Sequence, residues 1–106
     1  MAKYLWKASY SPDGVKGVLK EGGTGRRAAI EKLAANLGGA IDAFYFAFGG
    51  TDVYVIADIP DNVTAAAVAL TVGAAGAASI ETVVLLTPEE IDQAVQKTVE
   101  YRPPGA

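Results

Sequence analysis

Residues 43–58, AFYFAFGGTDVYVIAD, decide the fold, because they contain two apolar, aromatic-rich runs joined by a pair of glycines. Alternation along the first run places its three phenylalanines on one face of a strand. Tyr45 lies on the other face, together with Ala43 and Ala47. Both faces of this strand pair are therefore apolar, whereas a sheet with helices on one side normally has a more polar second side. We expect another copy of the chain to cover that second side.

The composition predicts one globular domain over residues 1–106. Hydrophobic residues make up 51% of the chain and charged residues 20%, as is typical of folded proteins. The formal net charge of −3 argues against a broad nucleic-acid surface, which needs clustered positive charge. The N-terminus lacks the apolar core of a signal peptide, and residues 63–80 are too rich in alanine, glycine and threonine to insert into a bilayer. We therefore expect a cytoplasmic protein that binds neither nucleic acid nor membrane.

Two missing residue types limit the chemistry. The chain contains no cysteine, which excludes disulfides, thiolate nucleophiles and thiolate zinc sites. It contains no histidine either, so the usual metal ligand and the usual proton carrier near neutral pH are both absent. The spacing of carboxylates shows no calcium-loop pattern. The sequence thus predicts no metal and no cofactor, and any catalysis would use carboxylates, amines, phenols or hydroxyls.

Strands and helices alternate in the first part of the chain. Period-two alternation predicts a strand over residues 3–10, and the Ser-Pro-Asp-Gly sequence at 11–14 predicts a turn. Two blocks of helical spacing follow, separated by the glycine-rich segment 22–25. This interruption predicts a short helix, a kink and a longer helix that Thr24 caps. The glycine pair at 38–39 should end the second helix.

The same alternation continues to the end of the chain. Strands are predicted over 41–48 and 52–58, and the Pro-Asp-Asn sequence at 60–62 should cap an alanine-rich helix. A strand over 80–86 follows, and residues 87–90 form a capping box that begins a short third helix. The order β-α-β-β-α-β plus a C-terminal helix predicts an α+β, ferredoxin-like fold. Its four-stranded antiparallel sheet would have the opening stretch as its central strand pair and an open face suited to dimerisation.

Several separated segments resemble the GYD domain family of small bacterial and archaeal proteins. They are KYLWKASYSPDGVKGVLKEGGTGRRAAIEKL at 3–33, GGAIDAFYFAFGGTDVYVIADIPDN at 38–62, LLTPEEIDQAV at 85–95 and the closing YRPPG. The family is itself similar to dimeric α/β-barrel proteins, a group of ferredoxin-like dimers that includes cofactor-free monooxygenases, isomerases and haem enzymes. The resemblance therefore implies a dimeric α/β-barrel assembly and says little about function.

The tripeptide that names this family would fall at Gly50-Thr51-Asp52, so threonine stands where tyrosine is typical. If the tyrosine phenol took part in chemistry in the relatives, this chain would lack that group. If the tripeptide only shapes a turn, Thr51 is a tolerable replacement. The second interpretation is favoured, because glycine followed by a short polar residue is common in hairpin turns.

Six further residues are candidates for a functional site. Asp52 begins a strand, where its carboxylate could act as a base or bind a cation, or could accept hydrogen bonds from nearby backbone amides. Arg26 and Arg27 follow the glycine-rich segment, which would suit a phosphate or nucleotide, although a solvated or salt-bridged pair is the simpler interpretation.

Tyr10, Lys16 and Tyr45 could line a cleft for an anionic or enolisable ligand. Their alternative role is structural, because tyrosines commonly pack with a solvated hydroxyl and a lysine in a first helical turn is commonly solvated.

Three hypotheses about function follow. The favoured one is a homo-oligomeric ligand-binding or assembly module without intrinsic catalysis. The second is a cofactor-independent monooxygenase- or isomerase-like enzyme acting on a small aromatic substrate, with Tyr10, Tyr45 or Asp52 handling protons. The third is a regulator that responds to a nucleotide or phosphate bound by Arg26 and Arg27. A dimer is the simplest assembly, and edge pairing of the sheets would permit larger ones.

Overall fold

The computed structural model describes all residues from 1 to 106. It contains seven elements in the predicted order, and their bounds are β1 (Ala2–Tyr10), α1 (Pro12–Asn36), β2 (Ala40–Phe46), β3 (Val53–Ile59), α2 (Asn62–Ala75), β4 (Ala78–Leu85) and α3 (Pro88–Ala94). None of the helices combines the length and the apolar character that crossing a bilayer requires.

The four strands form one sheet in the order β2-β3-β1-β4, and every neighbouring pair is antiparallel. This order, with the helices on one face, confirms the predicted α+β, ferredoxin-like fold. The prediction that residues 43–58 form the central strand pair is wrong, because β2 lies at an edge. The N-terminal strand β1 takes the second central position, since it pairs with both β3 and β4.

Alternation along the strands separates two faces. On the helix face, the row Phe44, Val55, Trp6 and Thr82 crosses the sheet, with one residue from each strand. Buried side chains on this face pack with small residues of the helices, and together they form the core, Tyr4, Trp6, Ala34, Val53, Val55, Ala57, Ile59, Ala65 and Val68. The other surface, which we call the open face, carries no helix.

Helix α1 begins earlier than predicted and is broken by glycine. The Ser11 hydroxyl accepts a hydrogen bond from the Gly14 amide, and Pro12 occupies the first turn, so the segment predicted as a turn is the start of the helix. At Gly22 the backbone angle φ is 78°, which a glycine adopts without a steric penalty. The predicted kink is therefore confirmed, but Gly22 precedes the second helical segment and Thr24 lies inside it.

Local capping signals agree with the structure elsewhere. Gly38 adopts the left-handed conformation just after α1 ends, as its position predicted. The Asp61 side chain accepts from the Thr64 amide at the start of α2. Thr87 and Glu90 form the reciprocal hydrogen bonds of the predicted capping box.

Strand β2 is shorter than predicted and ends at Phe46, so Phe48 is fully exposed in the connection to β3. This connection is held against β1 because the Asp52 amide donates to the Ala8 carbonyl at 2.9 Å. The Ala47 amide also donates to the Asp52 carbonyl, at 2.8 Å. These hydrogen bonds direct the chain away from β2 after Phe46, whereas the alternation of aromatic residues predicted a strand that continues to residue 48.

The C-terminal arm, residues 86–106, has almost no contact with the rest of the chain. None of the α3 residues is buried, and the apolar side chains of Ile91, Val95 and Val99 are exposed. The radius of gyration is 16.8 Å, compared with about 13 Å for a compact domain of this length. The arm therefore extends away from the sheet and its two covering helices.

Candidate functional site

A cavity of about 70 Å³ lies between the sheet and the two long helices, and we call it the core cavity. Of its 13 lining residues, 12 are hydrophobic and the remaining one is Arg26. The cavity follows from the composition of α2, NVTAAAVALTVGAA, which contains no aromatic residue and a single leucine, Leu70, that is exposed. Small side chains facing the sheet leave space that larger ones would fill, whereas most protein interiors are close-packed.

Residues in and beside this cavity have unpartnered polar atoms. The buried atoms Trp6 Nε1, Arg26 Nε and Thr82 Oγ1 form no hydrogen bond within the chain. Trp6 is only 3% exposed and lines the cavity, and Thr82 lies directly across from it on β4. An unsatisfied buried polar group destabilises a fold by about 1 to 3 kcal/mol. The interior therefore retains three polar atoms without hydrogen-bond partners.

Arg26 connects the core cavity with the surface. Its side chain is 29% exposed, and its Nη1 atom lies 3.5 Å from Oε2 of Glu21, on the opposite side of the break at Gly22. Arg26 also lines an adjoining groove of about 240 Å³, the outer groove, together with Tyr10, Asp13 and Glu21. The break in α1 thus places a guanidinium between solvent and an apolar interior.

The two arginines do not form the phosphate clamp that their adjacency suggested. Arg27 is exposed and lines a separate groove with Glu31, Asp42 and Tyr45. Consecutive residues of a helix are rotated by about 100° from each other, so their side chains diverge. The glycine-rich segment is also apolar in its surroundings, since a Cβ atom at Gly23 would meet the Phe46 ring at 3.1 Å.

Tyr10, Lys16 and Tyr45 are not brought together either. Tyr10 is half-buried on the helix face and lines both the core cavity and the outer groove. Lys16 is exposed on α1, outside the core cavity. Tyr45 is 71% exposed on the open face, where it pairs with Tyr54. Of the three, only Tyr10 belongs to the candidate site.

Asp52 and Gly50 hold the β2–β3 connection against the end of β1. Asp52 Oδ2 accepts a hydrogen bond from the Tyr10 amide at 2.9 Å, and the Gly50 carbonyl accepts one from the Ser9 hydroxyl at 2.9 Å. The Asp52 carboxylate therefore bonds a backbone amide in the way expected for a strand-end aspartate. Thr51 lies between these two hydrogen-bonded residues, so Gly50-Thr51-Asp52 positions the β2–β3 connection against β1.

The open face carries its charges in contact with one another. Lys3 Nζ donates to Asp42 at 2.5 Å and to Asp58 at 2.8 Å. The hydrogen bond to Asp42, followed by that to Asp58, raises the pKa of Lys3 above its ordinary value of 10.5. Asp42 and Asp58 thus share an ammonium group, and no three carboxylates cluster anywhere in the chain.

Reasoning from the sequence found Arg26 and Tyr10 but missed Trp6, which contributes the most buried unpartnered donor. The signal was present, because a tryptophan in the period-two pattern of a strand will be buried and its N–H will need a partner. The pairing of Trp6 with Thr82 depends on the register of β1 against β4, which alternation alone does not specify.

Comparison with curated proteins and with solved structures gives no significant match. The family model described as GYD domain matches residues 4–95, which is most of the chain. The resemblance expected from the sequence is thus confirmed, and the protein belongs to the GYD domain family.

Proposed function

We propose that this GYD domain is a self-associating ligand-binding module, which binds a small, largely apolar molecule in the core cavity without catalysing a reaction on it. The observation that carries the proposal is the core cavity itself, which lies between the sheet and the two long helices and is lined by 12 hydrophobic residues and Arg26. Protein interiors are normally close-packed, and apolar cavities with a few polar groups are where small molecules commonly bind.

The dimensions of the cavity limit the ligand. A volume of about 70 Å³ is below the ~150 Å³ of an engineered cavity that holds benzene. The buried part of the ligand is therefore smaller than an aromatic ring, and any further part extends past Arg26 into the outer groove.

Binding is better supported than catalysis by the residues around the cavity. No carboxylate lines it, and the side chains there with polar atoms are Trp6, Tyr10 and Arg26. The best candidate base, Asp52, accepts a hydrogen bond from the Tyr10 amide and lies outside the cavity lining. General-base catalysis needs a base within hydrogen-bond reach of the substrate, and Asp52 does not meet that requirement for a molecule in the core cavity.

Self-association is supported by the pattern of the open face. A row of apolar residues crosses it, with one residue from each strand, Ala43, Ile56, Leu5 and Val83. The rows on either side carry ion pairs, Lys3 with Asp42 and Asp58, and Lys7 with Glu81 at 3.7 Å. An apolar centre with a charged rim that is already neutralised suits contact with an identical face, as in a two-fold dimer.

The C-terminal arm fits the same assembly. Its exposed residues Ile91 and Val95 are four positions apart on and just after α3, and they have no packing partner within the chain. Short helices are marginal in water unless an apolar face is packed. We propose that the arm packs on the second copy, so that both copies gain the burial that a single chain does not provide.

Ligand binding can be followed through Trp6, the only tryptophan of the chain. Titration with small aliphatic alcohols, amides and acids should give a saturable change in its emission and an increase in Tm. The variant Val72→Phe, which fills the cavity, should lose this response, whereas Val63→Phe on the exposed side of α2 should keep it. Absence of a saturable response to every probe would refute the binding proposal.

Self-association is tested by sedimentation velocity over a range of concentrations. The wild-type chain should form dimers or larger assemblies, and Ile56→Lys at the centre of the open face should dissociate them. Leu70→Lys, on the exposed surface of α2, is the matched control and should leave the assembly unchanged. A wild-type chain that stays monomeric at all concentrations would contradict the proposal.

A further inference from the structure

We infer that the C-terminal arm of one copy binds a groove on the second copy, between the first part of α1 and the β2–β3 connection. We call this surface the α1 groove. The inference rests on the proposed self-association and names the surface that receives the arm. It follows from the apolar residues of the groove and the arm, from their positions at opposite ends of the sheet, and from their charges.

The α1 groove has a volume of about 340 Å³, and six of its eight lining residues are hydrophobic. Val15 and Val18 line it from the helix, and Phe46 and Phe48 line it from the side of β2 and the connection. Val15, Phe46 and Phe48 are exposed, as is Leu19, one turn after Val15. Neighbouring exposed apolar residues of this kind mark a surface that contacts another molecule.

The arm carries an apolar stripe of the same kind. Ile91 on α3 and Val95 at its C-terminal cap are four positions apart, and both are exposed. Val15 and Leu19 have the same spacing on α1. Helical residues four positions apart lie on one face, so each segment presents a narrow apolar stripe. Two such stripes can pack along each other.

The arm leaves its own sheet at the end opposite to the α1 groove. Strand β4 ends at Leu85, whereas the row of residues that contains Phe46 crosses β4 at Ile80, five residues earlier. A strand rises about 3.4 Å per residue, so about 17 Å separates the exit of the arm from the groove. Only Leu86 and Thr87 connect β4 with α3. These two residues are too few to bring the start of α3 back to the groove of its own copy.

A two-fold axis along the apolar row of the open face removes this separation. Rotation about that axis reverses the strands of the second copy, so the arm end of one sheet lies over the groove end of the other. Leu85 is two residues from the row at Val83, and Ile80 is three residues from it in the opposite direction. The exit of each arm therefore lies near the end of the sheet that carries the partner's groove, and two identical contacts form.

Unpaired charges on the two surfaces are complementary. Lys16 and Lys20 border the apolar stripe of α1, and both are exposed and form no salt bridge within the chain. Glu89 and Asp92, on either side of Ile91 along the chain, are also exposed and form no salt bridge. Opposite charges around an apolar contact steer two surfaces together and disfavour other partners.

The first experiment measures association by sedimentation velocity. Phe48→Asp in the groove and Ile91→Asp in the arm should each raise the Kd of the dimer by about ten-fold or more, because each places a charge in an apolar contact. Val63→Asp, on the exposed side of α2, is the matched control and should leave the Kd unchanged. Circular dichroism shows that the variants are folded.

A charge exchange tests the pairing of the two surfaces. The double variant Lys16→Glu, Lys20→Glu should weaken association, and adding Glu89→Lys and Asp92→Lys to the same chain should restore it. Lys32→Glu is the control, because it changes an exposed lysine of α1 that does not line the groove.

Introduced thiols show which copy supplies the arm, because the chain contains no cysteine. Gly49→Cys lies beside Phe48, where an added Cβ meets no other atom within 4 Å, and Gln96→Cys lies beside Val95. A short bismaleimide should crosslink a mixture of these two single variants into pairs of chains. Gly73→Cys on the exposed side of α2 replaces Gly49→Cys in the control mixture, which should form no such pairs.

The possible results separate this inference from the proposed self-association. A dimer that survives Phe48→Asp and Ile91→Asp but dissociates in Ile56→Lys would overturn the binding of the arm and leave self-association intact. A wild-type chain that stays monomeric would overturn both. Crosslinking within single chains of a variant that carries both Gly49→Cys and Gln96→Cys would also overturn the inference, because the arm would then bind its own groove. So would equal crosslinking in the control mixture.

Discussion

Polar side chains on the two faces of the sheet differ in whether they have interaction partners. On the open face, Lys3 bonds two carboxylates and Lys7 lies near a third. On the helix face, where burial makes a missing partner most unfavourable, Trp6 and Thr82 have unpartnered polar atoms. The charged groups of the open face are therefore paired while its apolar residues are partly exposed, and the helix face is buried but contains unpartnered polar atoms. This difference teaches that the open face is suited to the proposed apolar contact, whereas the helix face tolerates buried polar groups without partners.

Replacing one apolar residue on each face should give the largest difference in the free energy of unfolding. Trp6→Ala removes a buried core side chain, and we expect a loss of about 3 to 5 kcal/mol in the free energy of unfolding. Its neighbour Leu5 points to the open face, so Leu5→Ala should destabilise a self-associated chain by an amount that depends on protein concentration. Urea unfolding followed by circular dichroism at two concentrations measures both. A concentration-independent effect of Leu5→Ala would remove the distinction between the faces.

The next largest effect on stability should come from the hydrogen bond between Asp52, in the β2–β3 connection, and the end of β1. Asp52→Ala removes the acceptor of the Tyr10 amide and should destabilise the fold by about 1 to 2 kcal/mol. Thr51→Ala is the control, because no hydrogen bond of its side chain holds the loop, and it should change stability little. Thermal unfolding measures both variants. Equal stability of Asp52→Ala and wild type would show that the carboxylate is free for another role.

A smaller effect should distinguish satisfied from unsatisfied hydroxyls. Thr82→Val replaces an unpartnered buried hydroxyl with a methyl group of similar size, and we expect a gain of up to about 1 kcal/mol. Thr64→Val removes a hydroxyl that donates to Asp61 at 2.7 Å and should instead destabilise the chain. Opposite signs in urea unfolding would sharpen the contrast between the interior and the surface. A loss of stability in Thr82→Val would mean that its hydroxyl is satisfied in solution.

The smallest expected effects are in the pH dependence of stability, because the groups concerned are solvent-accessible. The pKa of Lys3 is raised by Asp42 and Asp58, so its contribution is fully present below pH 10.5 and is lost as the pH rises through the raised pKa. The pKa of Asp61 is lowered from 3.8, first by the Thr64 amide and then by its hydroxyl. The contribution of Asp61 is therefore present above pH 3.8 and is lost as the pH falls through the lowered pKa.

Lys3→Met and Asp61→Ala separate these two contributions. Lys3→Met should flatten the alkaline decline of Tm and leave the acid side unchanged, and Asp61→Ala should do the reverse. Unchanged alkaline behaviour in Lys3→Met would show that the ion pairs of the open face contribute nothing measurable, as is common for exposed pairs.

The candidate site could be predicted only in part. Arg26 was a candidate because a glycine-rich segment precedes it. The hypothesis that Arg26 and Arg27 bind one ligand together is not supported, because adjacent helical residues point in different directions. Tyr10 was expected to share a cleft with Tyr45, but alternation on separate strands puts them on opposite faces. Trp6 and Thr82 come together through strand register, so neither residue shows its role in its own segment.

The sequence by itself determined the types of the elements, their order and most of their ends. Those features depend on side-chain period and on caps that act within a few residues, such as Gly38 after α1 and the Thr87–Glu90 box. Only the tertiary structure decided that β2 lies at an edge, that the connection turns away after Phe46, and that Arg26 reaches the same cavity as Trp6. These features depend on contacts between distant segments and on the volume left between two layers, which no local pattern of residues encodes.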